Sequence, residues 1–331
     1  MKALLKELVS VPGPSGYESQ IRSTIEALVK PHVDECTTDA LGNLIARKGK
    51  KNARGKTILL AAHMDEIGVM VTHVDENGFA RFTNLGGVYP RNSIGGRVRF
   101  LNGAAGVIGM EPHSSASSVP SLDKMFIDLG VDNAKSCPVK IGDVGVFERT
   151  FEDLGNRLVS KAMDNRAGAA VLVDTLRKLK DTPNEIAAVF TVQEEVGTRG
   201  AQTAAYGIDP DVGIVIDVTL AGDTPRNKTT QVKLGGGPAV HIKDQGSLAT
   251  PEVSAWIQAK ARAARVETQI SILPFGYTDA YTIQPSRAGV PTSGVSIPCR
   301  YVHTPSEMVD LNDLTNAVKL LVRMLSDQVQ L

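Results

Sequence analysis

The sequence has few cysteines and no excess of charge of either sign. Only three of its 331 residues are cysteine, and Cys36, Cys137 and Cys299 lie far apart without metal-finger spacing. We interpret them as small buried residues in a reducing compartment. Lysine plus arginine and aspartate plus glutamate both number 36, so the formal net charge is zero. Because no basic stripe with interleaved aromatics is present either, nucleic acid and anionic membranes are poor candidate partners.

Long apolar segments are missing as well. The beginning of the chain, MKALLKELVSVPGPSG, has an amphipathic stretch that ends at Pro12 and is too short and too charged for a secretory signal. No apolar run approaches the length of a membrane span. We therefore expect a cytoplasmic globular protein, and its length and 42% hydrophobic content allow a sizeable core.

Short apolar runs and amphipathic helical patterns alternate along most of the chain. The runs TILLAAH (57–63), EIAAVFTV (185–192) and VGIVIDV (212–218) are typical of strands buried on both faces. Helical patterns follow Asp164 and Thr250, and another closes the chain. This alternation predicts an α/β fold with a mostly parallel sheet flanked by helices. An early helix is predicted in SGYESQIRSTIEALV, where Ser15 and Glu18 have capping-box spacing.

A different composition appears between residues 67 and 157. Short alternating runs such as GVMVTHV and RVRFL are separated by turn sequences with glycine and asparagine. We interpret 67–157 as a small all-β domain inserted into a discontinuous outer domain, 1–66 and 158–331.

Residues that can bind metal ions follow the predicted buried strands. They are His63, Asp65, Glu194, Glu195, Asp217 and His303, and Asp164 adds to them just before a predicted helix. Ligands in open α/β sheets bind beyond the carboxyl ends of the strands, so these side chains can converge on one site. Several ionisable groups would repel and desolvate one another there without a cation. Two divalent ions would balance Asp164, Asp217, Glu195 and a bound hydroxide.

The adjacent carboxylates Glu194 and Glu195 then divide into two roles. Successive side chains of an extended segment point in opposite directions, so one can bind metal while the other faces the metal-activated water as general base. We assign Glu195 as ligand and Glu194 as base, although geometry alone also permits the reverse.

The sequence resembles the tetrahedral family of dinuclear-metal aminopeptidases, which includes glutamyl and deblocking aminopeptidases. The likeness runs over nearly the whole chain. It is carried by AAHMDEIGVMV, NLGGV, KAMDNRAG, TVQEEVGTRGA, IDVT, TDA and RAGVPTSGVSIPCRYVHTPSEMVD.

This resemblance implies a dinuclear site. One ion would bind His63, Asp164 and Asp217, and the other Asp164, Glu195 and His303, with Asp164 bridging them. Glu194 would be the general base, which resolves the order within the pair, and a metal-bridging hydroxide would be the nucleophile. Asp65 would orient His63; its alternative role is a turn cap. Zinc and cobalt suit these ligands, as does manganese.

The resemblance also implies partners. The inserted β domain would mediate dimerisation, and the dimers would form a hollow tetrahedral dodecamer that admits short peptides. Two alternatives stay open. One is a related metallohydrolase, such as a carboxypeptidase or an N-acyl amino acid deacylase, and the other is an inactive cage-forming subunit.

One departure from the family pattern concerns the substrate pocket. FGYTDA carries Tyr277 where the family often has a small residue, so this side chain either reshapes the pocket or packs outward. Thr278 and Asp279 are expected to frame the same pocket or the substrate amine. We expect His73, His113 and His241 to be structural.

Overall fold

The runs predicted as buried strands form the centre of a large sheet in the computed structural model, which describes residues 1–52, 54–112 and 118–331. His113 lies outside the described residues. The strands are β1 (Glu35–Thr38), β2 (Leu44–Lys48), β3 (Thr57–His63), β4 (Gly68–Val74), β5 (Ala80–Leu85), β6 (Arg97–Phe100), β7 (Ala105–Met110), β8 (Met125–Asp128), β9 (Val144–Phe147), β10 (Glu152–Leu154), β11 (Arg157–Ser160), β12 (Glu185–Thr191), β13 (Val212–Leu220), β14 (Ala239–Lys243), β15 (Gln269–Ile272), β16 (Thr292–Arg300) and β17 (Glu307–Asp310).

The large sheet contains eleven strands and is parallel at its centre. Its order is β1-β2-β12-β3-β13-β16-β17-β11-β10, and β14 pairs with both β16 and β15. The neighbours β12, β3, β13 and β16 run parallel, whereas β2 and β17 add to them antiparallel. The predicted α/β fold with a helix-flanked sheet is confirmed, and the sheet is mixed because antiparallel strands flank the parallel centre.

Helices cover both faces of this sheet. They are α1 (Lys2–Ser10), α2 (Ser19–Val29), α3 (Pro90–Ser93), α4 (Met163–Lys178), α5 (Arg199–Ile208), α6 (Pro251–Ala264), α7 (Ala280–Ile283) and α8 (Leu311–Leu325). Alternate residues of β3 belong to two different hydrophobic cores. Ile58, Leu60 and Ala62 lie in the core that also contains residues of α1, α2, α4, α6 and α8. Leu59 and Ala61 lie in the core that contains residues of α5 and α7. None of the helices in the described residues is long and apolar enough to cross a membrane.

The small β domain is a closed six-stranded barrel. Its order is β4-β5-β8-β7-β6-β9, and β9 pairs with β4. The division at residues 67 and 157 stays a prediction. Strand pairing does show that β10, Glu152–Leu154, already belongs to the large sheet. The sequence of the β10–β11 hairpin consists of short alternating runs separated by a turn, as in the barrel strands. This pattern therefore does not show where one sheet ends and the other begins.

Two local predictions were wrong. Helix α2 has Glu18 at its N-cap without a side-chain cap, and Ser15 Oγ instead donates to Asp65 at 2.6 Å. A buried carboxylate needs such a donor, and that need outweighs the local capping pattern. Of the three cysteines, only Cys299 is fully buried, because Cys36 and Cys137 lie in more open parts of the fold.

A buried ionic cluster ties the beginning of the chain to the end of β3 and the start of α4. Arg166 donates to the carbonyl oxygens of Leu8 and Met64 and to the Glu66 carboxylate. Lys161 donates to the same carboxylate at 2.6 and 2.9 Å. Because Arg166 is fully buried, the carbonyl oxygens of Leu8 and Met64 depend on it for a donor that water cannot replace, and the Glu66 carboxylate is shared between Arg166 and Lys161.

Replacing Arg166 by alanine should therefore destabilise the protein by about 3–5 kcal/mol, since buried carbonyl oxygens would lose their donor and the Glu66 carboxylate would lose one of its two cationic partners. Chemical denaturation measures the change. Arg177→Ala, in the exposed last turn of the same helix, is the matched control and should change stability by no more than about 0.5 kcal/mol. Equal small effects in both variants would contradict this account of the cluster.

Candidate metal centre and active-site cleft

The parallel strands bring the predicted ligands to one edge of the sheet. His63 ends β3, Asp217 lies in the second half of β13, and Glu194 with Glu195 follows the end of β12. His303 follows β16. Because β12, β3, β13 and β16 are neighbours and parallel, their carboxyl ends meet at the same edge.

Two clusters of possible metal ligands share one residue. His63, Asp164 and Asp217 form the first, with His63 Nε2 lying 3.0 Å from Asp164 Oδ1 and 3.6 Å from Asp217 Oδ1. Asp164, Glu195 and His303 form the second, in which His303 Nε2 lies 3.4 Å from Asp164 Oδ2 and 3.3 Å from Glu195 Oε2. Asp164 therefore presents a different oxygen to each cluster.

Asp65 lies between His63 and the segment that carries Glu194 and Glu195. Its Oδ1 lies 3.4 Å from His63 Nδ1 and accepts the backbone N–H of Glu194 at 3.0 Å. Its Oδ2 accepts the backbone N–H of Glu195 at 3.2 Å and the Ser15 hydroxyl. This carboxylate lies beside the His63 ring and fixes the backbone that carries the glutamate pair; that it orients His63 stays a prediction.

Glu307 has a similar supporting role that the sequence analysis missed. Its buried carboxylate accepts the backbone N–H of Asp164 at 2.9 Å and that of His303 at 2.7 Å. It therefore positions Asp164, which both clusters share, together with His303 of the second cluster. The only sequence signal was an acidic residue four positions after His303, inside the segment that carries the family resemblance.

The barrel contributes the glycine pair of NLGGV to the site. A Cβ on Gly87 would overlap the His303 ring, reaching 2.5 Å from Cε1, and a Cβ on Gly86 would reach 2.9 Å from Glu195 Oε2. Gly86 also has φ = +77°, which favours glycine. These two positions leave room for the second cluster because they lack side chains.

The charges of the site are not balanced by the protein alone. Burial raises the pKa of Glu194 well above its usual range and that of Asp217 to about 6. Burial lowers the pKa of His303, but Glu195 and Asp164 outweigh it and raise the value to about 12. Without cations, protons would have to compensate these carboxylates, and on the imidazoles such protons would occupy the positions that cations take when histidine binds metal.

The side chains present fit divalent cations. The Glu195 carboxylate is 3% exposed, and its Oε1 has no hydrogen-bond partner among the described residues. Unpaired buried carboxylate oxygens are costly unless a cation or a donor satisfies them. Imidazole nitrogen and carboxylate oxygen are also the ligands of zinc in catalytic sites.

A cleft of about 460 Å³ opens onto both clusters. Glu194 lines it, together with Tyr277 and Thr278. Asp279, in contrast, is not among the described residues that line the cleft; it is 1% exposed, and its Oδ2 accepts the Thr191 hydroxyl at 2.5 Å. Its expected contact with a substrate amine stays a prediction. Burial raises the pKa of Asp279 to about 7.

Two of the histidines expected to be structural differ in their surroundings. His241 is buried in the cleft wall, where its Nε2 bonds the Ser247 hydroxyl at 2.9 Å. His73 is exposed on β4 of the barrel. Neither belongs to a ligand cluster found among the described residues.

Comparison with known proteins identifies the class. Residues 42–320 match the M42 glutamyl aminopeptidase family, so the chain belongs to that family of peptide hydrolases, which are metallopeptidases. It is an aminopeptidase, as the resemblance implied.

Individual relatives agree over nearly the whole length. The lysyl aminopeptidase of Pyrococcus furiosus is 34% identical, with 98% of this chain and 96% of the relative covered. The aminopeptidase APDkam598 of the archaeon Desulfurococcus kamchatkensis superposes with a TM-score of 0.94 at 39% identity, covering 98% and 94% of the two chains. The TET1 peptidase of Pyrococcus horikoshii, which can assemble into a tetrahedron or a large octahedral shell, gives 0.88 at 31% identity, covering 98% and 99%.

Replacing Gly87 by alanine should displace the His303 ring and weaken binding of an ion to the second cluster by roughly 10- to 100-fold. Titration of the metal-free protein with Co²⁺ or Zn²⁺ measures this. Gly207→Ala is the matched control because a Cβ there meets nothing within 4 Å. Unchanged affinity in Gly87→Ala would show that His303 does not depend on the glycine.

Proposed function

We propose that this chain is a dinuclear metal-dependent aminopeptidase that removes N-terminal residues from short peptides. His63, Asp164 and Asp217 would hold one divalent ion, and Asp164, Glu195 and His303 the other. The observation that carries the proposal is the pair of three-residue clusters that share Asp164 through different oxygens. Zinc or cobalt suits this nitrogen and oxygen donor set, and manganese is compatible with it.

The ions, when bound, would polarise the peptide carbonyl and the attacking water. Glu194 performs the proton transfer. Its carboxylate lines the cleft beside both clusters, and Asp65 fixes its backbone through the Glu194 N–H. Glu194 accepts the proton of the water and then donates it to the nitrogen of the leaving peptide.

The adjacent Glu195 suits the ligand role and not the base role. Its Oε2 lies 3.3 Å from His303 Nε2 and belongs to the second cluster, whereas Glu194 lines the cleft but belongs to neither cluster. Tyr277 and Thr278 line the cleft and would contact the substrate. Thr278 donates to Asp244 at 3.2 Å, which holds this part of the wall in position.

Replacing Glu194 by glutamine removes the proton acceptor with little change in shape. Turnover should fall by roughly 10²- to 10⁴-fold while the metal content stays at the native value. Hydrolysis of an aminoacyl p-nitroanilide and elemental analysis of the same samples measure both quantities. Glu252→Gln, on the exposed first turn of α6, is the control and should keep full activity. Full activity in Glu194→Gln would rule out this residue as the base.

We also propose that the barrel mediates dimerisation and that the dimers assemble into a tetrahedral dodecamer in the cytoplasm. Support comes from the likeness to the TET1 peptidase of Pyrococcus horikoshii and from apolar side chains exposed on the barrel, including Val107, Met110 and Ile141. The free thiols of the three cysteines are compatible with a reducing compartment.

Light scattering of the purified protein tests the assembly. Twelve chains of 35.2 kDa should give a particle of about 420 kDa. Substituting aspartate for Ile141 would place a charge on the barrel surface and should shift the mass toward smaller species. A mass of one or two chains for the unmodified protein at all concentrations would contradict the dodecamer.

A further inference from the structure

The cleft wall away from the two ligand clusters is largely apolar. It is formed by the end of β13 and by the segment that follows β15. The apolar side chains of this wall are Leu220, Leu273, Phe275, Tyr277 and Tyr281. Phe275, Tyr277 and Tyr281 are among the exposed large hydrophobic residues, and such a surface next to a reactive site is suited to bury an apolar group.

Positive charge is missing from this wall. Among the described residues that line the cleft, none is lysine or arginine. Arg199 and Lys243 are near lining residues in the sequence but do not line the cleft: Arg199 donates to Gln193 Oε1 at 3.3 Å, and Lys243 donates to the carbonyl oxygen of Asp244 at 2.8 Å. A substrate carboxylate would therefore be desolvated without a counter-ion and would face the carboxylate of Asp244.

Asp244 is also poorly suited to recognise a basic side chain. It is 3% exposed, and its Oδ1 accepts the N–H groups of Gly246 and Ser247 and the Ser247 hydroxyl. Its Oδ2 accepts the Thr278 hydroxyl and lies 3.7 Å from His241 Nε2. This carboxylate holds the wall together and has little capacity left for a cation.

Tyr277 is held in a defined position in the wall. Its ring centroid lies 5.3 Å from that of Tyr281 at an interplanar angle of 55°. The ring also lies over Gly246, where a Cβ would reach 2.5 Å from Tyr277 Cδ1. Tyr277 therefore offers a fixed, half-exposed aromatic face and does not pack away from the cleft.

We infer that the cleft selects peptides whose first residue is a large neutral apolar or aromatic one, with Tyr277 as a specificity-determining contact. The inference rests on the proposed aminopeptidase function and deepens it. The inferred first residue differs from the glutamate named in the family description and from the lysine named for the Pyrococcus furiosus relative.

The test is the kcat/KM of the metal-loaded protein for the p-nitroanilides of leucine, phenylalanine, alanine, lysine and glutamate. Leucine or phenylalanine should exceed glutamate by at least about 100-fold and lysine by at least about 10-fold. A preference for glutamate or lysine would overturn the inference and leave the aminopeptidase function intact. Absence of turnover with all five would overturn the proposed function and this inference with it.

Variants assign the preference to Tyr277. Tyr277→Ala should lower kcat/KM for leucine and phenylalanine by roughly 10- to 100-fold, mainly through KM, and for alanine by much less. Tyr277→Phe should restore most of the loss because the aromatic face is kept. Tyr206→Ala, an exposed tyrosine stacked on Arg287 outside the cleft, is the matched control. An equal loss for all substrates in Tyr277→Ala would overturn its role in selection.

Discussion

Buried negative charge at the carboxyl ends of the parallel strands is the constraint on which the site depends. Asp164, Glu194, Glu195 and Asp217 lie close together, and taking such carboxylates from water is costly unless opposite charge is supplied. Two imidazoles can compensate part of this charge only by binding protons. The proposed divalent ions would do so while leaving the imidazoles neutral, and the same ions would make the cleft reactive.

The surrounding fold serves this arrangement by positioning backbone as much as side chains. Asp65 and Glu307 each accept two backbone N–H groups next to proposed ligands, which joins segments that are distant in the sequence. The Arg166 cluster anchors the start of α4, and Gly87 leaves room for His303. The barrel is therefore part of the active-site wall in addition to any role in assembly.

The sequence predicted the centre of the fold better than its surroundings. His63 and Asp217 could be recognised because a polar residue at the end of a buried apolar run is visible locally. The contacts of Glu307 and Gly87 could not be recognised in this way, since they join segments that lie far apart in the chain. Ser15 had the local pattern of a helix cap, and only the folded structure brings it to the buried Asp65. The antiparallel flanks escaped prediction for the same reason, because strand partners are set by tertiary pairing.

The most direct test of this account is the number of ions bound per chain. Protein stripped by a chelator, reconstituted with zinc or cobalt and freed of excess metal should contain two ions per chain by elemental analysis. His63→Ala and His303→Ala should each retain about one, because the clusters share only Asp164. A single ion or none in the unmodified protein, or two in both variants, would contradict the dinuclear centre.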